Sequence, residues 1–114
     1  MKASEARRMA LAFPEAHEEP HFEYDSFRVR GKIFATMPPD GLHLHVFVDD
    51  AMRDQALTLN SDCVEKLWWG QKVMGLRVDL PKAKSVAVHA LLENAWKRKA
   101  PKRVVADYER QSPA

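Results

Sequence analysis

Three basic side chains and two aromatic rings lie within one segment of the chain that alternates like β-strands. They are Arg28, Arg30, Lys32, Phe34 and Phe47. Basic side chains neutralise phosphates whatever the base sequence, and aromatic rings can stack on unpaired bases. A second basic segment could extend the same surface, and its members are Lys97, Arg98, Lys99, Lys102 and Arg103. The pattern predicts weak, largely sequence-independent binding to nucleic acid, although clusters of solvated charge are common at helix ends.

Two adjacent tryptophans predict a different kind of partner. Trp68 and Trp69 would point to opposite faces of a strand, so we expect one in the core and the other at a contact surface. Phe47 would join the exposed one on the open face of a sheet. The alternative function is therefore a protein-interaction or small-ligand-binding module, which includes a homodimer.

The residues that could support catalysis or metal binding are few. His43 and His45 are two apart on a strand and could share an ion, but a third ligand would have to come from His21 or Glu23. Cys63 is the only cysteine, and no Gly-rich phosphate loop or nucleophile motif accompanies it. We therefore expect no catalytic residue, no metal, no cofactor and no enzymatic activity.

Length and composition indicate one ordinary soluble domain. The chain has 114 residues, 46% of them hydrophobic and 30% charged, with a net charge of +2. This length supports a single core, so we expect one domain over residues 1–114. No apolar run reaches the length of a membrane helix, and the lone cysteine fits a reducing compartment. We expect a cytoplasmic protein that does not contact membranes.

Hydrophobic periodicity places the elements that would position these residues. A helix is expected from 4 to 13, and the polar segment 15–20 is expected to be a connection. Three strands follow between 22 and 48, with Met37 opposite Leu42 and all aliphatic side chains on one face. That register places Phe34, His45 and Phe47 on the other face with Arg28.

The second half of the chain should contain three helices and two strands. We expect helices over 50–59, 82–99 and from Pro101 onwards, and strands over 64–69 and 73–80. The fold class is therefore α+β. About five antiparallel strands would form a sheet covered on one face by helices, as a sandwich, while the other face stays partly open.

Several segments together resemble the MmcQ/YjbR family. They are MALAFPEAHEEPHF at the start, SFRVRGKIFATM in the middle and LLENAWKRKAPKRVV near the end. The resemblance implies a compact fold similar to the frataxin-like one. It also implies DNA binding by a double-wing shape, with no catalytic motif to carry over.

Overall fold

The computed structural model describes residues 1–111. Within them, four α-helices and six strands follow one another, with a short 3-10 helix at Leu80–Lys82. In chain order they are α1 (Ala3–Leu11), β1 (Ala16–His21), β2 (Tyr24–Val29), β3 (Lys32–Met37), β4 (His43–Val46), α2 (Asp50–Leu59), β5 (Val64–Trp69), β6 (Lys72–Asp79), α3 (Ser85–Lys99) and α4 (Lys102–Gln111).

The six strands form one antiparallel sheet in the order β1-β2-β3-β4-β6-β5. Helix α3 packs on the central strands β3 and β4, α1 packs on β1 and β4, and α2 packs on β5. The ring of Trp96 in α3 is fully buried and contacts Phe13 and Tyr108, which ties α4 to the other helices. The expected α+β class, with helices on one face of an antiparallel sheet, is confirmed.

Strand β1 is the element that the sequence analysis missed. The segment 15–20 was expected to be a connection because it is polar, yet Ala16–His21 pairs with β2 along its whole length. Edge strands are often charged and contain proline, since both discourage pairing with another chain. Glu18, Glu19 and Pro20 fit that role, and the sheet has six strands where about five were expected.

A β-bulge reverses the expected orientation of Phe34. Arg28 pairs with Ile33, but Phe27 pairs with Ala35, so one residue of β3 is left without a partner on β2. The extra residue shifts Ile33 to the outer face and brings Phe34 into the core, where it is fully buried. The expectation that Phe34 lies on the accessible face is wrong.

The pairing of β3 with β4 differs from the expected register by two residues. Ala35 lies opposite Val46 and Thr36 opposite His45, whereas Ala35 was expected opposite Leu44. A shift of two leaves every side chain on its original face, because side chains alternate with a period of two. Leu44 and Val46 are therefore in the core as expected.

A second bulge separates Leu67 from Trp68 in the pairing of β5 with β6, and it leaves Met74 without a partner on β5. Both tryptophans are exposed, Trp68 at 55% and Trp69 at 75%. The expectation that one of them enters the core is wrong.

No helix in residues 1–111 has the length and apolar character to cross a bilayer.

Candidate functional site

A tight hairpin turn presents the first group of basic side chains. Arg30 and Gly31 connect β2 to β3, with φ angles of 52° and 78°. Positive φ at both central residues is the type I′ turn, whose twist matches the strands that it joins. The turn places Arg30 at the tip and Lys32 at the first position of β3, both exposed.

Charges from the hairpin tip and from the start of α4 both act on one carboxylate, that of Glu15. Arg30 hydrogen-bonds to Glu15 through Nε and through Nη2, the latter at 3.2 Å from Oε2. The pKa of Glu15 lies below its ordinary value, chiefly because of this hydrogen bond, and attraction to Arg103 contributes. Arg30 therefore binds Glu15 directly, and the charge of Arg103 acts on the same carboxyl.

Five residues thus make up a basic patch, namely Arg30, Lys32, Lys99, Lys102 and Arg103. Lys32, Lys102 and Arg103 are exposed, and Lys99 is half-buried. Within residues 1–111, Arg30 is the one member with a carboxylate within ion-pair distance. The sequence analysis had named all five as candidates, but it had no signal for Glu15, which joins the two segments.

Three other residues that were predicted to bind phosphate instead contact groups of the protein itself. The Nε of Arg28 donates to Oγ of Ser26 at 3.0 Å, and the side chain is half-buried. Lys97 lies 3.8 Å from Glu93 and 3.5 Å from Glu109. Arg98 donates to the carbonyls of Phe47 and Val48, where β4 has ended. We exclude Arg28, Lys97 and Arg98 from the patch, together with the buried Phe34.

The outer face of the sheet is a polar network rather than an open platform. Ser26, Thr36 and His45 are buried, and their pairing across β2, β3 and β4 places them side by side on this face. Ser26 donates to the carbonyl of Glu19 at 2.6 Å, and Arg77 lies near both Asp40 and Glu65. Long polar side chains therefore cover the centre of this face.

His45 is at the middle of that network. Burial, followed by the charge of Arg77, lowers its pKa from 6.5 to about 4. The ring of Tyr24 lies 5.8 Å from the imidazole between their centroids. Nδ1 of His43 instead contacts Asp40 at 2.7 Å. In residues 1–111 no three potential ligands are close enough together to hold a metal ion.

A family model described as YjbR matches residues 11–98. The chain belongs to the YjbR family. The match covers the whole sheet and most of α3, and it confirms the resemblance seen in the sequence. Neither the curated proteins nor the solved structures contain a significant match to this chain.

The remaining candidate residues of this YjbR-family chain differ in their exposure to solvent. Cys63 is buried, and burial, with Asp62 and Asp79 nearby, raises the pKa of its thiol. That environment opposes formation of the thiolate, which is the nucleophilic form. Phe47 is half-buried, whereas Trp68 and Trp69 are exposed at the edge of the sheet.

Proposed function

We propose that this protein binds duplex DNA through the basic patch, weakly and with little dependence on base sequence. The observation that supports the proposal is that Arg30 binds Glu15 while the charge of Arg103, from the second basic segment, acts on the same carboxyl. They are separated by about two thirds of the chain, and folding joins them into one surface. Clustered positive charge on one surface is the electrostatic footprint of a phosphate-binding protein.

The chemistry of the patch favours backbone contacts over base reading. Phe34 is in the core, so it does not provide a stacking surface for unpaired bases. Lys32 and Lys102 have flexible side chains that suit point contacts with phosphate oxygens. Because α4 begins at Lys102, the positive end of its dipole lies in the patch and favours an anion there.

We also propose that this binding role involves no catalysis. The one cysteine has a raised thiol pKa, and no bound group is needed for the patch to hold phosphate. A free cysteine fits a reducing compartment such as the cytoplasm, and we propose that location. Recognition of a small ligand or a protein by the outer sheet face has less support, since polar side chains fill its centre.

A salt titration tests the proposal. Anisotropy of a labelled duplex should report binding at low ionic strength, with equal affinity for two unrelated sequences. Four patch cations have no carboxylate within ion-pair distance among residues 1–111, so log K should fall against log salt concentration with a slope of about −3.6. A slope near zero, or no binding at about 50 mM salt, would refute DNA binding by the patch.

A further inference from the structure

The two edges of the sheet differ in how they are protected against pairing with another chain. Strand β1 carries Glu18, Glu19 and Pro20, and Arg7 of α1 binds Glu18 at 3.2 Å. Strand β5 has no proline and carries Trp68 and Trp69, both exposed. An exposed hydrophobic edge strand is a template for another strand.

The backbone of β5 shows which of its groups face the free edge. Asp79 donates to the carbonyl of Cys63 at 2.7 Å, so these two residues form a hydrogen-bonded pair between neighbouring strands. Since such pairs alternate along an antiparallel ladder, Glu65 and Leu67 bond to β6 while Lys66 and Trp68 face away from it. Val64 fits this alternation, because its N–H points away from β6 and donates to the carbonyl of Asn60 at 3.0 Å.

We propose that a second copy of this chain pairs with it through β5, antiparallel and centred on Leu67. A two-fold axis perpendicular to the sheet places one residue opposite its own copy. With Leu67 on the axis, Lys66 lies opposite Trp68 of the partner subunit, and both residues present backbone groups that have no partner among residues 1–111. About four backbone hydrogen bonds form in this register.

Side-chain chemistry selects this register over the neighbouring one. Lys66 already lies 5.8 Å from the centroid of the Trp68 ring of its own chain. In the dimer each ammonium faces a ring of the partner as well, which is favourable by cation–π attraction. Centring the axis on Lys66 would set two ammonium groups opposite each other, which is destabilising.

The charge of the strand favours a second copy as the partner. Strand β5 carries one acid, Glu65, and one base, Lys66, so two copies approach without net repulsion. Leu67 then packs against Leu67 of the partner subunit, and Trp69 lies opposite Glu65 of the partner subunit. The interface is at the edge of the sheet, and none of its residues belongs to the basic patch.

Proline at position 66 tests the pairing directly. Lys66→Pro removes an N–H that faces away from β6, so the fold should tolerate it. In sedimentation equilibrium, the wild type should approach twice its 13.1 kDa mass as concentration rises, while Lys66→Pro stays monomeric. Lys66→Gln keeps the N–H and should still dimerise. A wild type that is monomeric at every concentration, or a folded Lys66→Pro that dimerises equally well, overturns the proposal.

Amide exchange of the wild type provides a readout that needs no variant. The amides of Lys66 and Trp68 should exchange about tenfold more slowly at high protein concentration, as expected for one added hydrogen bond. The amides of β1 should show no such dependence. Exchange at Lys66 and Trp68 that is independent of concentration would also overturn the pairing.

Discussion

Nη1 of Arg77 lies 3.0 Å from Nε2 of His45, and the guanidinium is the donor in this contact. Because arginine has no acceptor atom, Nε2 of His45 accepts and carries no proton. The ring proton is therefore on Nδ1, which faces Oγ1 of Thr36 at 3.5 Å. The fold thus holds a neutral histidine at the centre of the outer sheet face.

This arrangement predicts a loss of stability on acidification. The pKa of His45 is about 4 in the fold, against 6.5 ordinarily, so between these pH values the unfolded chain takes up a proton that the folded chain does not. Stability therefore falls as pH decreases through this window. Urea denaturation at a series of pH values should show a steeper fall for the wild type than for His45→Gln.

The comparison with His45→Gln separates this effect from titration of the carboxylates, which both proteins share. Above pH 6.5 the difference in unfolding free energy between the two proteins should be constant. A difference that stays constant down to pH 4 as well would show that His45 is not held neutral by its surroundings.

Gly75 of β6 is predicted to tolerate no side chain. A Cβ built there would lie 2.2 Å from the carbonyl oxygen of Val46 and 3.2 Å from Cα of Phe47. Since both are backbone atoms of the neighbouring segment, the strands would have to separate. Gly75→Ala should lower the free energy of unfolding by about 3 kcal/mol, measured by urea denaturation.

Gly41 is the matched control for Gly75. It has a φ of +70°, and a Cβ there would meet no atom within 4 Å. Asparagine tolerates that backbone conformation, so Gly41→Asn should cost less than about 1 kcal/mol. Equal losses at the two positions would contradict the close approach of β6 to β4.

Asp49 is predicted to be the main local stabiliser at the start of α2. Its Oδ1 accepts from the N–H of Met52 at 2.8 Å, and its Oδ2 accepts from Asn94 of α3 at 3.1 Å. Asp49→Ala removes the cap and the hydrogen bond from the Asn94 side chain to Oδ2, while the bond from the backbone N–H of residue 49 to Asn94 remains. The substitution should cost about 1–2 kcal/mol. Thermal or urea denaturation measures the loss.

Asp50, the next residue, provides the control, since its side chain is 90% exposed. Asp50→Ala removes the same functional group from the first turn, and should change stability by less than about 0.5 kcal/mol. A larger loss of unfolding free energy in Asp50→Ala than in Asp49→Ala would contradict the assignment of Asp49 as the N-cap of α2.

Local patterns predicted most of the fold correctly. Strand β5 matches its predicted bounds of 64–69. The buried stripe of α3 also agrees with the periodicity, and its members are Val88, Leu91, Leu92, Ala95 and Trp96. Both elements have a strong period and clear ends, so their sequences alone define them.

The incorrect predictions of strands and side-chain orientations have two physical causes. Strand β1 has no hydrophobic alternation, because an edge strand that pairs on one side and faces solvent can be polar throughout. Phe34 lies at a β-bulge, and one extra residue reverses the face of a side chain without changing the alternation in the sequence.

The candidate site was predictable as a set of charges but not as a surface. The sequence located Arg30, Lys32 and Arg103, yet it did not show that Arg30 binds Glu15 or that Arg103 acts on the same carboxyl. Nor did it show that Arg98 is engaged by backbone carbonyls. Such partners depend on tertiary contacts between residues that are far apart in the chain.

The most direct test of the basic patch compares two double variants of equal charge. Lys32→Glu with Lys102→Glu reverses two patch residues. Lys82→Glu with Lys84→Glu reverses two exposed residues before the first turn of α3, at the opposite end of that helix from Lys99. Both changes alter the net charge equally, so any difference between them reports the location of binding.

Affinity for a labelled duplex at low salt is the quantity to measure. The account predicts that the patch variant loses most of its affinity, by about a hundredfold or more if each reversal abolishes one phosphate contact. The variant at Lys82 and Lys84 should lose much less. Equal losses in the two variants, or unchanged affinity in the patch variant, would contradict the assignment of DNA binding to this surface.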